Sequence, residues 1–318
     1  MTDRPLKRRR KQTMSKPRIG FIGIGLMGHG IAKNLVAKGY PLAVRVNRNR
    51  KPLEDLLAAG AKEVKTNAEV ANNADIVFLC VTGAPQVEEI INGKDGIASV
   101  ARKGLIIVDT STSEPATTAK MREELATKGV RFIDAPLART PVEAELGKLN
   151  IMVGADDATF AELQPVLGAF CENIIHAGPE GHGLVLKLIN NFIAMTIATA
   201  TAEALAAAVK SGLSVKKLHQ VISAGAVNSG IFQMIVGKML ENNGDLTGLK
   251  FTLVNAMKDL RYYTHFAESL PASAIVGEAV HQSLVNANLM GFGDKYVASL
   301  VEAQEKLNGM DIVGAARG

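Results

Sequence analysis

From Arg18 to about residue 178 the chain alternates short apolar runs with segments of helical period. The runs at 19–22, 42–46, 76–81, 105–108, 131–133 and 151–153 predict strands, and the stretches 26–38, 53–59 and 117–128 predict helices. Continuous apolar strands separated by helices imply a parallel sheet covered on both faces. From Gly183 the texture changes to Ala- and Leu-rich helical periods over 183–210, 214–222, 231–241, 250–270, 272–288 and 295–307, with no further strand. The cluster Gly178-Pro179-Glu180-Gly181 is a turn former at that change and marks the expected boundary. The expected organisation is a basic tail over 1–15, an α/β domain over 16–178 and an all-α domain over 179–310.

Composition supports two cores, since 318 residues with 47% apolar content exceed one. Charge changes the picture more. The formal net charge is +5, yet residues 1–13 hold Arg4, Lys7, Arg8, Arg9, Arg10 and Lys11 against Asp3 alone. The remainder carries 30 positive and 30 negative side chains, so the body is neutral. The tail reads as a leader ahead of an alternative start at Met14, or as a nucleic-acid or address segment. It has neither the apolar stretch of a secretory signal nor the Ser-rich amphipathic length of a transit peptide. The uncharged run 188–202 is short and carries Asn190, Asn191 and three Thr, so no bilayer-spanning segment is expected. Cys80 and Cys171 lie far apart without metal spacing, which excludes a disulfide scaffold or zinc site and fits a reducing cytoplasm.

Directly after the first expected strand stands Gly23-Ile24-Gly25-Leu26-Met27-Gly28, a G-x-G-x-x-G loop opening the first helix. Gly23 permits the tight turn, Gly25 lets backbone approach a pyrophosphate, and Gly28 packs helix on strand. Leu26 and Met27 complete the cofactor-facing turn, and Val81 and Thr82, where the third expected strand ends, face it. His29 reads as a helix-start residue. An NAD site would carry Asp or Glu where the second strand ends. Here that place reads Val46-Asn47-Arg48-Asn49-Arg50, without an acid. Asn47 and Arg48 therefore suit an adenosine 2′-phosphate, and NADP(H) is expected over NAD(H), which remains possible. Arg50 is either a second phosphate partner or a solvated loop charge.

Four further blocks follow in order: Asp109-Thr110-Ser111-Thr112, Asp134-Ala135-Pro136 with Gly147-Lys148-Leu149, Gly181-His182-Gly183 with Lys187 and Asn191, and Phe251 with Lys258-Asp259-Leu260. With the glycine loop they resemble the β-hydroxyacid dehydrogenase family, over nearly all of 16–307. The resemblance implies a Rossmann-type N-terminal domain, an all-α C-terminal domain, and helical domains that associate into a homodimer or homotetramer. It implies catalysis by Lys187 and Asn191, substrate contacts from Ser111 and Thr112, and cofactor contacts from Thr112 and Lys258. Independently, Lys187 and Asn191 are four residues apart and share a helical face. An ammonium there can stabilise and protonate a carbonyl oxygen that gains charge during hydride transfer, while the amide orients the substrate. The alternative is a Lys that snorkels from the core edge.

One block departs from the family. Its usual Asp-x-Pro-Val-Ser-Gly-Gly reads Asp134-Ala135-Pro136-Leu137-Ala138-Arg139-Thr140. Arg139 and Thr140 are expected to grip a more strongly anionic head group, similar to the sulfolactaldehyde reductase branch. Otherwise Arg139 is a loop charge tied to Glu143 or Glu145. The expected activity is an NADP-preferring interconversion of a short acidic aldehyde, semialdehyde or sulfolactaldehyde-like, with its hydroxy acid. Two alternatives are an imine reductase-like relative and a non-catalytic dinucleotide module whose tail contacts nucleic acid. Lys187 speaks against both. The expected partner is the small anionic substrate, with no nucleic acid, membrane or metal.

Overall fold

The computed structural model describes residues 15–46 and 50–317. Asn47, Arg48 and the tail up to Met14 lie outside the described residues. The first half forms a sheet of β1 (Ile19–Ile22), β2 (Leu42–Arg45), β3 (Lys62–Glu63), β4 (Ile76–Leu79), β5 (Ile106–Asp109), β6 (Arg131–Asp134), β7 (Leu137–Ala138), β8 (Leu149–Gly154) and β9 (Cys171–Gly178). The order is β3-β2-β1-β4-β5-β6-β8-β7, with β9 pairing β8. Strands β3 to β6 in that order are mutually parallel, whereas β8 runs antiparallel to β6 and β7.

Alternation along the strands loads both faces. Ile19, Phe21, Val44, Phe78, Val108 and Ile133 point into one buried cluster, shared with Ile31 and Leu35 of α1 (Gly28–Ala37). Ala43, Val77, Leu79, Ile107 and Phe132 point into the other. The second face is covered by α3 (Asn67–Asn72), α4 (Ala84–Asn92) and α5 (Pro115–Ala126), after the short α2 (Glu54–Ala58). A strand buried on both faces reads as a continuous apolar run, which is why these five were legible. The short α6 (Pro141–Glu145) and α7 (Asp157–Leu167) follow.

Beyond β9 the chain is helical: α8 (His182–Lys210), α9 (Val215–Ala224), α10 (Gly230–Phe232), α11 (Lys238–Glu241), α12 (Leu253–Ser269), α13 (Ile275–Ala287), α14 (Leu300–Asn308) and α15 (Ile312–Arg317). A π turn at Gln233–Gly237 joins α10 to α11. By length and composition α8 is apolar enough to cross a bilayer, unlike its shorter uncharged run. It is the central helix of this half, packed against α12, α13 and α14 and, at its start, against β8 and β9. The helices share one core around Ala198, Leu205, Val236, Leu260 and Leu284. A small cluster of Ala84, Leu184, Leu188 and Tyr262 ties α4 to α8 and α12, joining the sheet-bearing half to the helical half.

Candidate active site

The carboxyl ends of β1, β4, β5 and β6 lie side by side, where open parallel sheets bind ligands. At β1 the glycine loop has no slack at two positions and space at the third. Gly23 has φ +103°, and a Cβ there would sit 2.2 Å from the Cys80 carbonyl. A Cβ on Gly28 would sit 2.0 Å from the Gly23 carbonyl. Around Gly25 nothing lies within 4 Å. Helix α1 starts without a side-chain cap and without an acid in its first turn, so its amide dipoles stay available to an anion. This cradle fits a dinucleotide pyrophosphate. Leu26 is exposed on the loop, and Met27 packs partly against the core below.

His29 stands at the start of α1 as a clamp rather than in the cleft. Its ring contacts Glu145 at 2.5 Å and Asp55 at 2.8 Å, and the two carboxylates raise its pKa against the opposing pull of burial. At the second strand's end, Arg50 forms two bonds to Glu63, of 2.7 and 2.9 Å. Arg50 is therefore engaged by a carboxylate.

At the ends of β4 and β5, Ser111 is buried and its Oγ accepts from the Val81 amide at 3.0 Å. Its own amide donates to Asp109 at 2.9 Å. Ser111 thereby fixes the turn that carries Val81 and Thr82. Burial pushes the Asp109 carboxyl up to about 7 and the Cys80 thiol up to about 11, so Cys80 stays a neutral core group. Lys258, from α12, donates to the Thr112 carbonyl at 2.9 Å and to Asp259 at 2.6 Å, and lies 4.7 Å from the centre of the Tyr262 ring. The other oxygen of Asp259 accepts from the Asn191 amide at 2.6 Å, and Asn190 donates to Asn191 at 3.2 Å. Both ends of the Asn191 side chain are thus oriented.

Lys187 projects from α8 one turn before Asn191 and is half-buried. Among the described residues its ammonium has no hydrogen-bond or ion-pair partner. Burial lowers its pKa and Lys258 adds to the fall, while Asp259 opposes it. Such an ammonium is poised to give up a proton.

The 137–140 turn behaves differently from expectation. Arg139 has φ +82°, a left-handed backbone. Its guanidinium is held by Glu172 and by the Lys148 carbonyl at 2.6 Å. Neither Glu143 nor Glu145 is its hydrogen-bond partner, although, after the bonds from Thr140, Arg139 still helps to hold the Glu143 carboxyl down; both carboxylates are bonded elsewhere. Glu143 accepts from the Thr140 amide at 2.9 Å and hydroxyl at 2.5 Å, closing a capping box on α6. Glu145 takes His29 and Lys33. Thr140 is thus spent on the cap and Arg139 on Glu172. Sequence reasoning also gave no role to Asp134, whose carboxylate accepts from the Gly181 amide at 2.6 Å and the Leu184 amide at 2.8 Å. Those bonds span 47 and 50 residues, beyond any local pattern.

A phosphate cradle, an unpaired ammonium and an oriented amide are the parts a dinucleotide-dependent oxidoreductase needs. Comparison with known proteins agrees. Residues 18–178 match the NAD binding domain of 6-phosphogluconate dehydrogenase, and residues 181–303 match the NAD-binding domain of NADP-dependent 3-hydroxyisobutyrate dehydrogenase. The chain is 31% identical over 301 residues to 2-(hydroxymethyl)glutarate dehydrogenase of Eubacterium barkeri, covering 93% of this chain and 98% of that protein. It is 32% identical to 2-hydroxy-3-oxopropionate reductase of Escherichia coli, covering 91% and 97%. A solved 3-hydroxyisobutyrate dehydrogenase from Salmonella typhimurium superposes with a TM-score of 0.77 at 25% identity, covering 90% and 99%. The chain belongs to the β-hydroxyacid dehydrogenase family and is an NAD(P)-dependent hydroxy acid oxidoreductase.

Proposed function

We propose that this enzyme interconverts a short aldehyde bearing an acid group with its hydroxy acid, using NADP(H) in preference to NAD(H). The observation that carries the reading is the half-buried, unpaired Lys187 ammonium one turn from an Asn191 locked onto Asp259. When bound, the nicotinamide supplies or accepts the hydride at the substrate carbon. Lys187 gives its proton to the carbonyl oxygen during reduction and takes it back during oxidation. Burial, which lowers its pKa, eases release of that proton. Asn191 presents its amide to the substrate in an orientation that Asp259 and Asn190 hold, so little reorganisation is needed. Thr112 lines the acid group's subsite, beside the turn that Ser111 fixes. Arg139 reaches an anionic head group by exchanging Glu172 for it, one anion for another, while Thr140 stays on its cap. The absence of an acid over 46–50 supports NADP(H), as does the neutralisation of Glu63 by Arg50. Exposed Leu186, Ile189 and Ile193 on α8 suit association of two copies.

The test is oxidation of 3-hydroxypropionate, 3-hydroxyisobutyrate, glycerate, 4-hydroxybutyrate and sulfopropanediol with NADP+ and with NAD+, by wild type and Lys187→Ala. At least one acid should turn over, faster with NADP+, and Lys187→Ala should lower kcat more than a hundredfold with cofactor affinity kept. A loss below about tenfold, or roughly 1.4 kcal/mol, removes Lys187 from the chemistry.

A further inference from the structure

The start of α8 is built against the sheet in a way its own residues do not explain. The helix has no side-chain cap of its own and no acid in its first turn. The cap comes from Asp134, at the end of β6 and 2% exposed. One carboxylate oxygen takes the Gly181 amide and the other takes the Leu184 amide, so the group straddles the first turn. The two glycines make that approach possible. Gly181 has φ +94°, and a Cβ on Gly183 would lie 2.4 Å from the Met152 carbonyl and 2.9 Å from the Gly154 amide. Leu184, gripped by Asp134, is three residues before Lys187 and seven before Asn191, the same stripe of the helix.

We infer that Asp134 is the positioning residue for Lys187 and Asn191, its carboxylate and the Gly183 contact together fixing where α8 starts. The inference rests on Lys187 acting as the proton donor. A carboxylate that bonds two amides of one turn fixes both the rotation and the advance of the helix, which a single bond would not. A fixed start matters because catalysis is sensitive to shifts on the scale of an ångström. Asp109, in register with Asp134 on β5, and Arg122, from α5, are the charged groups that face it. Lys187 in turn faces Asp259 and Lys258 from α12. A displaced α8 changes those two separations, so it changes the proton affinity of Lys187.

The full chain is assayed as wild type, Asp134→Asn, Gly183→Ala, Lys187→Ala and Asp134→Asn/Lys187→Ala. The readouts are NADP+ affinity, oxidation of 3-hydroxyisobutyrate with NADP+, and the pH midpoint of Lys187 acetylation by acetic anhydride. Asp134→Asn keeps one acceptor and turns an N–H donor toward the other amide. It should lower kcat at least tenfold, leave NADP+ affinity within threefold, and move the Lys187 midpoint by at least half a pH unit. Gly183→Ala, with the carboxylate intact, should give the same pattern, and it decides the matter if Asp134→Asn does not fold. The double variant should be no slower than Lys187→Ala. A folded Asp134→Asn or Gly183→Ala with kcat within threefold and an unmoved midpoint overturns the inference. An active Lys187→Ala overturns the catalytic reading instead, and the midpoint still reports on position.

Discussion

The starts of α1 and α8 are written in nearly the same letters, Gly23-Ile24-Gly25 and Gly181-His182-Gly183, and are used in opposite ways. At α1 the second glycine faces open space, no side chain caps the helix and its first turn holds no acid. At α8 the second glycine is pressed onto the Met152 carbonyl, and Asp134 fills the amide end. One amide end is left for a phosphate; the other is closed by a resident carboxylate. A Gly-x-Gly around a helix start therefore states only that backbone comes close to something. What it comes close to is decided by the strand end opposite, β1 with its bare loop or β6 with its aspartate.

The contrast can be broken from either side. The largest effect is expected from Gly25→Asp, which puts a carboxylate at the open end. Because nothing lies within 4 Å of that position, the fold should hold while NADP+ affinity falls about a hundredfold, near 2.7 kcal/mol. Titration calorimetry beside a thermal melt would separate the two, and an unchanged affinity would mean that no phosphate sits there.

The next prediction, read in stability rather than affinity, concerns the carboxyl next to the closed end. Asp109 has a folded pKa near 7 because it is buried, well above that of an unfolded aspartate. The folded protein then holds a proton that the unfolded chain releases, so stability falls as pH rises from about 4 to about 7 and is flat beyond. Asp109→Asn removes that dependence, and wild type should lose ground to it by a few kcal/mol at most, at about 1.4 kcal/mol per unit. Urea midpoints of both at pH 5 and pH 8 give the answer; an equal gap at both values refutes it.

The smallest effect belongs to a third helix start, α6, capped locally by Thr140 and Glu143. Thr140→Ala should cost about 1 kcal/mol, the worth of an ordinary cap, with kcat nearly unchanged. A tenfold loss of kcat would instead give Thr140 a place against the substrate.

The two starts also mark how far sequence reasoning reaches. The glycine loop was legible because strand, turn and helix are contiguous. The paired strands β4 and β5 were legible because burial on both faces leaves an unbroken apolar run. Strand β9 was missed for the opposite reason: beyond buried Cys171 it mixes exposed and half-buried positions without a period and includes Glu172, Asn173 and His176. Strand β3 is two exposed charged residues recognisable only by their pairing with β2. In the site, Lys187 and Asn191 were named from their spacing as well as the family resemblance, and Lys258 from the resemblance alone. Asp134 and Asp259 stood in the same motifs, but their holding roles were not legible, since they act across 50 and 68 residues. Arg139 shows the same limit, because its Glu172 partner lies 33 residues away on a strand that periodicity did not predict. The capping box Thr140-x-x-Glu143 was a local signal left unread.

The length of α8 gives its anchored end a mechanical meaning. Twenty-nine residues make a rod about 43 Å long, hinged where β6 grips it. A pivot of about 5° at that hinge would carry the far tip nearly 4 Å, yet would shift Lys187, about 8 Å along, by less than 1 Å. On the proposed reading of Lys187, the chemistry occupies the short arm of a lever. Disturbance arriving at Lys210 is geared down before it reaches the reacting atoms, whereas slippage at Asp134 moves both arms together.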